Sequence, residues 1–161
     1  MKNDYISAEM TVLKIVSVLM IVFGALGILL YALGLAAVVG LTLATSGVFS
    51  ASRDLFGMGL LLVGAIVELV TGALGSKAAK RPDRAGKALI VWGVLTLLLT
   101  LAGMVQIVLR TASVPWWELA AGLVLGVVTP VVYLVAAARV KDSVSEDVSE
   151  EEAEAETAPE E

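Results

Sequence analysis

The sequence predicts an all-α fold: a polytopic membrane protein whose four transmembrane helices form a bundle of two hairpins, followed by a disordered acidic C-terminal tail. Three observations lead there. The 161 residues are 58% hydrophobic and only 17% charged, against about 45–50% and 25% in soluble domains, and the mean hydropathy is +0.92. The apolar residues gather into four continuous runs. The charges are segregated between the ends of those runs and the C-terminus.

The runs are Val12 to Val39, Leu55 to Gly75, Ala88 to Leu109 and Val114 to Ala138, giving predicted spans at about 14–38, 55–76, 87–109 and 115–138. Each has the roughly 20 residues needed to cross about 30 Å of hydrocarbon at 1.5 Å per residue. They are apolar around most of the helical circumference, unlike a surface helix of a soluble domain, and far too long for barrel strands. The first run exceeds the 7–15 residues of a signal-peptide core and reads as an uncleaved anchor.

Basic residues set the expected orientation. The connection from Ser76 to Lys87 carries Lys77, Lys80, Arg81, Arg84 and Lys87, whereas Arg53 and Arg110 stand alone in the other two. With Lys2, Lys14, Arg139 and Lys141, nine bases fall on one side and two on the other. The positive-inside rule then puts both termini and the central connection in the cytoplasm, in a cell membrane. The five clustered bases determine topology and are also able to hold anionic lipid headgroups. Trp116 and Trp117 fit an interfacial anchor at the outer start of the fourth span.

The net charge of −5 conceals a division: residues 142–161 hold ten acids and no base, leaving 11 bases and 6 acids in residues 1–141. The tail has no aromatic residue and no apolar periodicity, and its like charges repel, so disorder is expected. A basic cytosolic partner is one expectation for it. No nucleic-acid partner is expected.

With no cysteine and no histidine in the chain, thiol chemistry, imidazole acid–base chemistry and the usual zinc sites are excluded. No phosphate-binding glycine loop or dinucleotide motif is present. Neither an enzymatic activity nor a cofactor is expected. One ionisable residue lies deep in a span. Glu68 is nine residues from Lys77, or about 13–14 Å along the helix, where an acid costs roughly 2.5–3.5 kcal/mol. Gly64, Glu68, Thr71, Gly72 and Gly75 share a face at helical spacing, so Glu68 is expected to point at a neighbouring helix. Gly24, Gly27, Tyr31 and Gly34 form a comparable face on the first span, read as helix packing. No base lies at the depth of Glu68. Counting from the cytoplasmic edge places Thr129, Tyr133, Trp92 and Thr96 there, which makes these four its candidate partners. Pro130 leaves carbonyls near Gly126 and Val127 without donors, and a neutral Glu68 carboxyl is expected to donate to one of them.

Gly59-Leu60-Leu61-Leu62 echoes Gly122-Leu123-Val124-Leu125, and Lys14 and Lys87 each open a hairpin. Together with the Glu68-Leu69-x-x-Gly72-x-x-Gly75 stretch, this resembles small bacterial membrane proteins built from helical hairpins, such as the acid-resistance membrane protein family, and the uncharacterised four-helix proteins of bacterial inner membranes. That resemblance implies a helical-hairpin fold and no specific activity. A lone acid at mid-span also resembles the small multidrug-resistance exporters. There the acid is in the first helix and here it is in the second, so no activity transfers.

Two functions compete. One is a non-catalytic membrane component that packs through its glycine faces against itself or another helical membrane protein. The other is a small proton- or cation-coupled transporter using Glu68. A dry, glycine-lined contact at Glu68 favours the first, and a cavity reaching it favours the second.

Overall fold

The computed structural model describes residues 2–45, 48–81, 87–110 and 116–142, and among them every regular element is helical. Helix α1 spans Lys2–Thr45, α2 Val48–Ala78, α3 Lys87–Arg110, and α4 starts as Trp116–Leu123. Three segments are long and apolar enough to cross a membrane: Ala8–Ala44, Leu55–Ala78 and Lys87–Leu109. The acidic tail from residue 143 onward, and Arg84 in the central connection, lie outside the described residues.

The first two helices overrun their apolar runs. α1 has 44 residues, about 66 Å of helix, and α2 begins at Val48. The stretch between the first two predicted spans is therefore mostly helical. Leu, Thr, Ala and Ser dominate it and no proline interrupts it, so α1 continues to Thr45 and helix resumes at Val48.

Helix α4 is divided. After Leu123 the chain widens into a single π turn, Val124–Val128, with right-handed helical angles kept at Leu123 and Thr129 on either side. Residues 129–142 then continue as α-helix. Pro130 accounts for the position of the wide turn. Its nitrogen has no proton to close an ordinary turn, and its ring presses on the preceding one; a π turn relieves both.

Large apolar side chains line the outside of the molecule, with Leu30 65%, Phe56 71% and Leu98 59% exposed. A soluble monomer does not leave such surface continuous, so these are membrane-facing flanks. The tightest core is at one end. Leu13 and Met20 of α1, Ala78 of α2, Leu89 of α3, and Tyr133 and Val140 of the 129–142 helix form one buried cluster. Lys14, Lys77, Lys87 and Arg139 belong to this same end of the bundle, and Arg139 lies 3.9 Å from Glu9. That exposed pair contributes little energy but shows that the start of α1 and the last helix meet.

The most extensive helix pair is α1 with α2; α3 packs on α2, and the π turn on α3. Two glycines bring α1 and α2 together backbone to backbone. A Cβ on Gly24 would stand 2.7 Å from the Leu69 nitrogen, and one on Gly72 would stand 2.6 Å from the Ser17 carbonyl oxygen. In lipid no hydrophobic force drives helices together, so such close van der Waals contact supplies the association. Replacing Gly72 by Ala should cost about 1–3 kcal/mol, because rigid backbone must move. Gly59→Ala, where nothing lies within 4 Å, should be neutral or slightly stabilising. Thermal unfolding of the two variants in detergent measures the difference.

Candidate functional site

Helix geometry determines where each polar residue of α2 points. Successive residues step by about 100°. Gly72 and Ala65 face α1: the Gly72 position abuts Ser17 and Ile21, and a Cβ on Gly27 would stand 3.0 Å from the Ala65 Cβ. Thr71 faces α3, where its Oγ1 lies 2.8 Å from Thr96 Oγ1. Glu68 sits about 40° from Gly72 and about 60° from Thr71 around the helix, in the seam between the two neighbours. The single face expected from spacing is thus shared between two helices, and the acid lies at the division.

At that seam the helices leave a cavity of about 420 Å³, lined by Glu68 together with residues of α1, α3 and α4. Gly27, Gly64, Gly103, Gly122 and Gly126 all line it. At Gly27, Gly103 and Gly126 a Cβ would come within 3.0 Å of Ala65, Leu61 and Thr100, so these glycines let neighbouring side chains approach closely around it. Gly126 comes from the π turn before Pro130. The walls are otherwise apolar or aromatic, including Phe23, Leu61 and Met104, and the other polar groups are the hydroxyls of Tyr31 and Thr100. Tyr31 of α1 and Glu68 of α2 both line it. Among the described residues Glu68 takes part in no hydrogen bond and no ion pair. The donation to a carbonyl near Gly126 that Pro130 suggested is not made.

The hydroxyls beside the cavity are satisfied locally. Thr71 Oγ1 lies 2.8 Å from the Val67 carbonyl oxygen, Thr96 Oγ1 lies 2.9 Å from the Trp92 carbonyl oxygen, and Thr100 donates to the Thr96 carbonyl at 2.9 Å. Each hydroxyl has one proton, so one of Thr71 and Thr96 donates to its own carbonyl and the other donates across to its partner hydroxyl, which links α2 and α3 through two essentially buried residues.

The residues grouped by depth counting separate. Thr96 lies beside the cavity and bonds Thr71; Trp92 contributes its carbonyl. Thr129 is half-buried just after the π turn and does not line the cavity. Tyr133 is wholly buried and sits against Gly75 and Gly93, some seven residues, or about 10 Å, below Glu68. The last helix is displaced towards the basic end, whereas equal depth counting assumed level ends. Gly24, Gly72 and Gly75 are packing positions; Gly27 and Gly64 line the cavity; and Gly34 meets the flexible end of Met58. Lys77, Lys80, Arg81 and Lys87 are exposed at the basic end.

Phe23, Gly103, Met104, Gly122 and Gly126 were not singled out as site residues from the sequence. A signal for two of them was present, since Gly122 and Gly126 stand four apart and so share a helix face. Phe23 and Met104 carry no such mark, being ordinary apolar residues in apolar runs.

One carboxyl, one phenol and apolar walls, among the described residues, are suited to holding a cation or taking up a proton. The hydroxyl link should be structural. A Thr71→Val, Thr96→Val double-mutant cycle should give a coupling of about 0.5–1.5 kcal/mol in unfolding free energy, and zero coupling would show that the two threonines do not act together. No known family model matches this chain, and neither does any curated protein or solved structure.

Proposed function

We propose that the chain is a non-enzymatic, four-span protein of the cell membrane that binds a small cation, or exchanges a proton, at Glu68, as a small coupled transporter does. The fourth span in this reading is α4 with its π turn and the 129–142 helix, 27 residues from Trp116 to Asp142, enough for a bilayer despite the wide turn. The basic end, with Lys14, Lys77, Lys80, Arg81, Lys87 and Arg139, faces the cytoplasm by the positive-inside rule. Both termini and the acidic tail then lie on that side.

The observation that carries the reading is the position of Glu68 on an open cavity. Dry glycine contacts exist nearby, at Gly24 and Gly72, and Glu68 is rotated out of them. An acid kept in a span at a cost of roughly 2.5–3.5 kcal/mol, with no hydrogen bond to a described residue, is compensated when water or a cation reaches it. The packing role remains as the construction of the bundle: glycine contacts hold the helices, and the gap they leave accommodates a solute.

The test is proton flux in liposomes under an imposed potential, comparing wild type with Glu68→Gln. Wild type should exceed empty liposomes, and the variant should fall to their level while keeping its thermal stability. Flux at the empty-liposome level in both proteins would contradict transport and favour a purely architectural or partner-binding role.

A further inference from the structure

A second concave site lies at the basic end, between the last turn of α2 and the first turn of α3. Its volume is about 420 Å³, and it is lined by Lys77, Lys80 and Arg81 above Leu74, Ala78 and Leu89. The backbone explains why three cations converge. The amides of Lys80 and Arg81 both donate to the Lys77 carbonyl at 3.2 Å, and Arg81 also donates to Ala78 at 3.1 Å. This tight close to the helix keeps residues 77, 80 and 81 at i, i+3 and i+4, on one face.

Like charges at that spacing repel, and among the described residues none of the three forms an ion pair. Topology requires bases somewhere in this connection; it does not require them on one face around an apolar floor. Leu74 is one turn inside Lys77, so the floor descends from the headgroup level into the hydrocarbon region while the cations stay at its rim. A ligand that fits carries negative charge at one end and hydrocarbon at the other.

We propose that this groove binds one anionic phospholipid, with the phosphate held by Lys77, Lys80 and Arg81 and an acyl chain laid over Leu74 and Ala88. Lysine supplies point charge and arginine supplies paired donors for phosphate oxygens. The apolar floor distinguishes the site from a receptor for free phosphate, which has no use for Leu74 and Ala88. The site is separate from the Glu68 cavity and does not depend on its function.

Native mass spectrometry of the full chain tests it, with phosphatidylglycerol and phosphatidylcholine of identical acyl chains as probes. One phosphatidylglycerol should bind in preference to phosphatidylcholine. Lys77→Gln/Lys80→Gln/Arg81→Gln should weaken it by about tenfold or more, while Lys14→Gln, on α1 and outside the groove, should change it less than about twofold. Inorganic phosphate at millimolar concentration should not displace the lipid. Equal binding of the two lipids, equal loss in Lys14→Gln, or displacement by inorganic phosphate would each overturn the proposal. Circular dichroism confirms that the triple variant is folded; should it not fold, the single Arg81→Gln substitution gives the same comparison.

Discussion

The backbone contact between α1 and α2 is the constraint from which the rest of the arrangement follows. At Gly24 and Gly72 there is no room for a single methyl group, so these two helices have one separation and one rotation about their axes. Fixing the rotation of α2 fixes every other residue on it. Thr71 is turned towards α3 and bonds Thr96, Gly75 receives Ser17 and Tyr133, and Glu68 is left in the seam. A bulkier residue at Gly72 would move the acid as well as loosen the pair.

Packing is uneven along the bundle. The basic end has a closed core of Leu13, Met20, Leu89, Tyr133 and Val140, because the last helix is displaced towards it. The other half is looser. There, glycines from all four helical segments line the cavity, and the π turn widens α4 at Gly126. A gap of about 420 Å³ beside a carboxyl is the feature that links this architecture to the proposed binding of a cation or proton. Its formation needs the tight half, which holds the helices together while the loose half stays open.

Much of this was legible in the residues. The apolar runs specify long helices, the Gly64–Gly75 spacing announces a close helix contact, and Pro130 marks where a regular turn fails. Glu68 stands out because the surrounding run is otherwise uncharged. What spacing alone did not provide was the division of the α2 face. A 100° step per residue assigns a residue to a sector, and which neighbour occupies that sector depends on how three other helices are placed. Tyr133 illustrates the same limit. Depth counting put it level with Glu68, but the final helix runs to Asp142 and carries Tyr133 down to Gly75. The long helical stretch after Val39 was hidden because a hydropathy reading ends a span where polarity rises, while a helix ends only where its backbone is interrupted.

Glu68 lines a cavity, whereas Thr71, one turn away, lies in the contact between α2 and α3. The chain contains no cysteine, so a single introduced thiol can be read without background. Maleimide modification needs the thiolate, and hence water, at the site. The most direct measurement is the maleimide labelling rate of Glu68→Cys against Thr71→Cys in reconstituted protein. Glu68→Cys should be modified and Thr71→Cys should be protected. Protection of both positions, with each variant folded, would contradict this arrangement.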